Sequence, residues 1–305
     1  MKTEMNANPQ AASPDTLAGL FKACFPGIER GTGTVLSLLS DSSNRVLTRE
    51  IDGITAAAAV WRENTALMLC VLPEYRGRGL GSALLSEMEE DARRGGAEEF
   101  RFCDGPGYLA PGIPIGKGYE KNAAFFEKRG YKHTWGDEEC VDMDLDLRDA
   151  SFRGARPGDR RDGILYCFAG DGDRDAVVAC AEDGHEKFAR YYRDPALYRP
   201  DSPRRVLAAF PDGGASPTAA GALIIYEEEA TEEPGLGSVG CTVVRHAYRN
   251  RGIATTMVRA GTEHLRSIGL RRAFLGYTYT AIVPMYARSG YGICMKYLMG
   301  AKKLV

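Results

Sequence analysis

Two stretches carry residues arranged to hold a phosphate. One reads Arg76-Gly77-Arg78-Gly79-Leu80-Gly81 and the other Arg249-Asn250-Arg251-Gly252-Ile253-Ala254, and both fit R-x-x-G-x-(G/A). Glycine lets the backbone turn its N–H groups toward one point, a helix N-terminus adds roughly half a positive charge, and flanking arginines add whole ones. The chemistry on offer is capture of a phosphate or pyrophosphate. A single copy could equally be an ordinary strand-to-helix turn with solvated arginines.

Such a loop works only where a strand delivers it and a helix leaves it, and both surround each copy. Residues 71–96 run from an apolar strand through the loop into a helix with Leu80, Leu84, Leu85, Met88 and Ala92 on one face. Residues 243–269 repeat the order, with Ile253, Met257, Val258, Gly261, Leu265 and Ile268. Recurrence of strand, loop and helix together indicates two similar domains. Arg76 and Arg249 are 173 apart, and Gly130-Tyr131 and Gly290-Tyr291 are 160 apart, so each unit takes about half of the 305 residues.

Composition narrows the function classes. The net charge of −2 argues against nonspecific nucleic-acid binding. Residues 1–150 hold 17 Lys+Arg against 24 Asp+Glu (−7) and residues 151–305 hold 22 against 17 (+5), which fits either an anionic ligand in the second half or a plain surface bias. Eight cysteines show no C-x-x-C spacing and read as buried, reduced thiols. The first 15 residues lack an apolar h-region, and no apolar run reaches the roughly 18 residues a membrane helix needs. The expectation is a cytoplasmic protein with no membrane or nucleic-acid partner.

Periodicity predicts the remaining elements. A helix over 16–25 precedes strands over 45–51, 54–61 and 66–72. A strand over 100–103, a helix over 122–128 and a strand around 142–147 with one wet face complete the first half. The linker falls near 148–162. The second half then gives strands over 164–168, 205–210, 219–226, 238–244, 273–278 and 293–299, and helices over 176–190 and 282–289.

A strand, R-x-x-G-x-(G/A), an amphipathic helix, another strand and a short helix ending in Gly-Tyr resembles the GNAT superfamily of N-acetyltransferases, here twice. The resemblance implies an α/β fold of the α+β, mixed-sheet kind. It implies two tandem GNAT domains, 1–150 and 151–305, each a central, mostly antiparallel sheet flanked by helices. It also implies acetyl-CoA as cofactor. By resemblance, Arg76, Gly77, Arg78, Gly79, Leu80, Gly81 and Ser82, and Arg249, Asn250, Arg251, Gly252, Ile253, Ala254 and Thr255, cradle its pyrophosphate. Val71, Leu72, Val243 and Val244 offer main-chain groups to pantetheine and the acetyl carbonyl, one N–H polarising the thioester.

The family usually protonates the departing thiolate from a tyrosine five residues before the aromatic of the final Gly-Tyr. That position is Tyr286 in the second half and Phe126 in the first. A phenol can donate a proton and a phenyl ring cannot. The first half instead keeps Asn122, a residue type the family uses to contact coenzyme A, where the second has Ile282. Tyr286 is either the general acid or a packed aromatic, and Phe126 reads as core.

For the base, the resemblance points near the end of the strand over 219–226, to Glu228 or Glu229; a solvated hairpin end is the alternative. The first half holds 13 extra residues within 104–119, rich in Pro and Gly. They form either a substrate lid with Tyr108 and Tyr119 as contacts or a surface excursion. Asp171, Asp173, Asp175 and Glu182 mimic a calcium loop but lack its glycine, so Asp173 or Asp175 is expected to cap a helix. The four histidines lack metal spacing, and no metal is expected.

Together these imply an acetyl-CoA-dependent N-acetyltransferase acting on a small-molecule or peptide amine by direct attack in a ternary complex, as a monomer or homodimer. The alternatives are a non-catalytic acyl-CoA sensor or assembly module, and catalysis confined to the N-terminal domain.

Overall fold

The computed structural model describes residues 12–28, 30–103, 109–116, 118–148, 156–213 and 218–304. In chain order its elements begin with α1 (Pro14–Cys24), α2 (Thr32–Leu39), β1 (Arg45–Ile51), β2 (Ile54–Arg62), β3 (Thr65–Val71), α3 (Leu80–Arg94) and β4 (Glu99–Phe102). Then come β5 (Ile113–Ile115), α4 (Glu120–Glu127), β6 (Lys132–His133), β7 (Cys140–Asp146), β8 (Arg160–Arg161), β9 (Ile164–Phe168) and α5 (Arg174–Tyr192). The order ends with β10 (Arg204–Pro211), β11 (Gly221–Tyr226), α6 (Glu228–Thr231), β12 (Leu236–Val244), α7 (Ile253–Ser267), β13 (Arg272–Tyr279), α8 (Val283–Ala287), β14 (Gly292–Leu298) and β15 (Gly300–Lys303).

These elements form two compact units. Unit 1 is Met1–Val141 with Met295–Val305, and unit 2 is Asp142–Cys294. The expected divide at 150 and 151 follows chain order, and the compact units differ from it at three strands, β7, β15 and β14, whose Met295–Leu298 belongs to unit 1. β7 lies largely in unit 2, where the Leu147 N–H reaches the Arg271 carbonyl at 2.9 Å. β15 lies in unit 1, antiparallel to both β4 and β6.

In unit 1 the strand order is β1-β2-β3-β4-β15-β6. The run Ala56-Ala57-Ala58-Ala59-Val60-Trp61 is buried throughout because helices cover both sheet faces. Ala57, Ala59 and Trp61 meet Leu80, Leu84, Leu85 and Met88 of α3, whereas Ala58 and Val60 meet Leu17, Leu20, Phe21 and Val35 of α1 and α2. Gly300 at the start of β15 lies against β5, where an added Cβ would sit 2.8 Å from the end of the Ile113 side chain, Cδ1. Lys302 Nζ then reaches Glu89 Oε2 at 2.6 Å, and Glu89 also accepts from the Tyr131 hydroxyl at 2.9 Å.

In unit 2 the order runs β7-β13-β12-β11-β10-β9-β8. Val177, Cys180, Ala181 and Ala189 of α5 pack against Val206, Ala208, Ala222, Ile224 and Val243. On the other face α7 approaches closely through Gly261, whose added Cβ would lie 3.1 Å from Val239 Cγ1.

Several local expectations change. Of the wet face expected for β7, Asp146 is exposed and Asp144 half-buried, but Asp142 is only 4% exposed and accepts the Tyr277 N–H at 2.9 Å, which compensates its burial. Asp173 stands at the N-cap of α5, but its carboxylate accepts from Gly170 N–H at 2.9 Å instead of capping the helix. α5 breaks at His185, where φ is −165° and ψ 90°. Of the eight cysteines, Cys167 and Cys241 are half-buried, Cys294 is exposed, and the other five are buried. Among the described residues no helix is long and apolar enough to cross a membrane.

Candidate functional site

Each unit has a gap between two parallel strands. In unit 1, β3 pairs with β4 only at Thr65–Arg101 and Ala66–Phe102; in unit 2, β12 pairs with β13 only from Leu236–Arg272 to Ser238–Phe274. Beyond those pairs the ladders end, so 67–71 and 239–244 keep ladder partners on one side alone. Leu72 N–H bonds Ala56 O at 3.0 Å and Arg245 N–H bonds Ala220 O at 2.9 Å. Main-chain groups alternate along a strand, so those of Val71 and Val244 point into the gaps. Of the four residues expected to serve pantetheine, Val71 and Val244 are equivalent; Leu72 has its N–H engaged, and Val243 pairs with Ala222 and is buried.

The loops that follow are conformational copies. A single 3-10 turn, Pro73–Tyr75 or His246–Tyr248, leads into each. Gly77 and Gly79 have φ of +79° and +83°, and Asn250 and Gly252 have +62° and +75°. Asn is among the few side chains that tolerate this region, which explains how Asn250 replaces a glycine. Gly79 and Gly252 then stand at the N-caps of α3 and α7 with no side-chain cap. The first N–H groups of each helix, at Leu80, Gly81 and Ser82 and at Ile253, Ala254 and Thr255, lack intrahelical acceptors. A Cβ at Gly77, Gly79 or Gly252 would meet nothing within 4 Å, so the space beside these glycines is open, and free first-turn N–H groups are a kind of site that can take an anion.

The arginines divide into two roles. Arg76 Nε donates to Val71 O at 3.0 Å, and Arg249 Nε to Val244 O at 3.4 Å, with Arg249 Nη2 also reaching Gly184 O at 2.8 Å. These side chains tie the loop back to the strand that delivers it. Arg78 and Arg251 instead lie over Tyr75 and Tyr248, at 5.1 and 5.2 Å from the ring centroids. A further cation stands beside the unit 1 loop: Arg129 stacks on Phe125 at 3.7 Å and donates to Ser82 Oγ at 2.6 Å. Nothing in the glycine pattern pointed to it.

The interiors of the gaps differ. In unit 2 the Tyr286 hydroxyl lies 3.3 Å from Thr242 Oγ1, and Tyr286 is 5% exposed. Burial raises its phenol to about 12, opposed by the hydrogen bond from Thr242, so it is protonated at neutral pH. In unit 1 Phe126 joins a cluster of rings, with Phe102 at 4.6 Å, Phe125 at 5.0 Å and Tyr131 at 5.5 Å, and Leu69 packs against that cluster. The 173-residue offset makes Leu69 the counterpart of Thr242. Sequence reasoning missed Thr242, although that offset was the signal that could have found it.

The remaining expected residues have local duties. Asn122 Nδ2 donates to Pro114 O at 2.9 Å and so holds β5. Glu228 accepts from Gly235 N–H at 2.9 Å across the β11–β12 turn, Glu229 is exposed, and Glu227 binds both Arg205 and His264. Tyr226 pairs with Ser238 and Gly221 with Val244, so these carboxylates stand at the end of β11 away from the loop. The inserted stretch contributes β5, which pairs with Lys296–Leu298. Tyr119 accepts from Gly27 N–H at 3.5 Å, and Tyr108 lies outside the described residues.

Comparison with known proteins agrees with this arrangement. Residues 42–133 match the family model described as an acetyltransferase (GNAT) domain, and residues 173–291 match that of the acetyltransferase (GNAT) family. Among solved structures, the GCN5-related glucosamine N-acetyltransferase region of a fungal multi-domain GH3 beta-N-acetylglucosaminidase is similar at TM-score 0.72 and 16% identity, over 99% of this chain and 38% of that one. This chain thus spans little more than a third of that protein. A GCN5-related N-acetyltransferase from Sphaerobacter thermophilus gives TM-score 0.69 and 21% identity over 98% and 96% of the two chains. A tandem GNAT protein from the clavulanic acid biosynthesis pathway gives 0.67 and 18% over 99% of both. No curated protein matches the sequence.

Proposed function

Because the chain belongs to the GNAT acetyltransferase family, with one such domain in each half, we propose that it transfers the acetyl group of acetyl-CoA to an amine, and that unit 2 carries the transfer. The observation that carries this reading is the buried, protonated Tyr286 beside Thr242.

Acetyl-CoA supplies an activated acyl group as a thioester. The first-turn N–H groups of α7 bind its pyrophosphate, with Arg249 holding the loop to Val244. Main-chain groups of the parted strand, Val244 among them, orient pantetheine, and an N–H there stabilises the oxyanion as the amine attacks the carbonyl carbon. As the C–S bond breaks, Tyr286 gives its proton to the sulfur. Water in the gap takes the proton lost by the amine. Glu228 and Glu229 are not given that task, since Glu228 is engaged by Gly235 and both stand away from the loop.

Unit 1 has the same loop but the apolar pair Leu69 and Phe126. This supports a second reading for that unit alone, binding of coenzyme A through the α3 N-terminus without transfer. The acceptor is a small-molecule or peptide amine.

Thiol release from acetyl-CoA over a panel of polyamines, amino sugars, amino acids and lysine peptides tests both readings, combined with calorimetric titration of acetyl-CoA. Gly252→Val should abolish turnover. Gly79→Val should leave turnover and lower the number of molecules bound. Absence of thiol release with every amine, despite binding, would favour a sensor.

A further inference from the structure

We propose that Thr242 is a positioning residue for Tyr286: its hydroxyl donates to the phenol oxygen and leaves the phenol's own hydrogen aimed at the departing sulfur. The inference rests on the reading of unit 2 as the transferring unit.

The strand is built to bring Thr242 there. Val239 lies against Gly261 of α7, whereas Val243, four residues on, packs into the α5 cluster. In a regular strand those two side chains share a face. The reversal is a bulge: Gly240 pairs with Ile224 and Val243 with Ala222, and Cys241 takes a φ of +52°. Thr242 is thereby turned to the face of α7 and α8, where its Oγ1 meets the Tyr286 hydroxyl at 3.3 Å.

Among the described residues Thr242 is the one side chain bonded to the Tyr286 hydroxyl. A phenol carries one O–H and two acceptor sites. The neighbouring Tyr291 hydroxyl is already paired with Thr262 at 2.8 Å, and the titratable groups acting on Tyr286 are Cys241 and Tyr279. Unit 1 changes both partners together, to Leu69 and Phe126, while keeping the strand, the loop and the helix.

In the transfer step the C–S bond breaks, the sulfur takes the Tyr286 proton, and the phenolate is left facing an intact Thr242 O–H. That hydrogen bond is stronger to the phenolate than to the phenol, so Thr242 favours the transition state over the ground state. Water then returns a proton to the phenolate.

Thr242→Val keeps the shape and removes the donor; Thr242→Ser restores it. With acetyl-CoA and the best amine of the panel, Thr242→Val should lower kcat about tenfold with KM for acetyl-CoA within about twofold, and Thr242→Ser should recover most of the rate. In a Tyr286→Phe background Thr242→Val should cost nothing more. A second measurement needs no acceptor: with 3,5-difluorotyrosine at position 286, Thr242→Val should raise the phenol titration midpoint by about one unit. An unmoved midpoint, or a loss that persists in the Tyr286→Phe background, overturns the proposal. A disabled Tyr286→Phe beside a fully active Thr242→Val sinks this inference alone, whereas full turnover in Tyr286→Phe sinks the unit 2 reading with it.

Discussion

Arg76 and Val71 are joined by a 3.0 Å hydrogen bond from guanidinium Nε to main-chain oxygen, and Arg249 and Val244 repeat it 173 residues later at 3.4 Å. The conserved geometry of the pair shows what the first arginine of R-x-x-G does in this chain. It folds back and fastens the loop to the strand that delivers it.

The loop conformation gives the first prediction. Asn250 holds a φ of +62°, a region that a β-branched side chain strongly disfavours. Asn250→Val should destabilise the protein by about 1–2 kcal/mol in urea unfolding, and Asn250→Gly should be neutral or slightly stabilising. Equal stability of the two variants would contradict the assigned backbone.

A second prediction concerns the apolar pair of unit 1. Phe126→Tyr places a hydroxyl in the ring cluster of Phe102, Phe125 and Tyr131 against which Leu69 packs, and should cost about 1–3 kcal/mol. Leu69→Thr supplies the partner seen in unit 2. The double-mutant cycle should therefore show a favourable coupling of about 1 kcal/mol between the two changes, and strict additivity would argue that positions 69 and 126 do not meet.

Gly300 offers a third. Its added Cβ would lie 2.8 Å from Ile113 Cδ1, the mobile end of a side chain that can turn aside, so Gly300→Ala should lower stability by no more than about 1 kcal/mol. Removing residues 300–305 should do more, since β15 separates β4 from β6 and its loss leaves both edges unpaired. A truncated chain as soluble and as stable as the full one would speak against the strand's place in unit 1.

These positions also mark what was legible beforehand. The paired loops, the helices after them and the hairpin strands stood out because glycine spacing and apolar periodicity are local signals. β15 did not, because Gly-Ala-Lys-Lys has no alternating pattern and its place depends on a slot between distant strands. Asp142 misled because an alternating Asp-Met-Asp strand reads as half wet until its N–H partner at Tyr277 is known. Thr242 was hidden by the bulge at Cys241, since a bulge reverses which residues face which helix without changing composition.

The pH dependence has a definite sign. The Tyr286 phenol is raised by burial to about 12. A raised value means that the stability gained by keeping the phenol neutral is full below its unfolded value near 10 and is lost as pH rises toward 12. A difference absorbance titration of wild type against Tyr286→Phe should show this phenolate appearing only above about pH 11. Ionisation near pH 10 would mean that the phenol is not held in the buried position beside Thr242.

The most direct test of the account is the rate of thiol release by Tyr286→Phe beside that of Phe126→Tyr, with acetyl-CoA and a working amine. If Tyr286 is the acid, its loss lowers kcat by roughly 10²–10⁴-fold while acetyl-CoA affinity stays within about twofold, and Phe126→Tyr leaves the rate unchanged. A Tyr286→Phe enzyme turning over at the wild-type rate would contradict it.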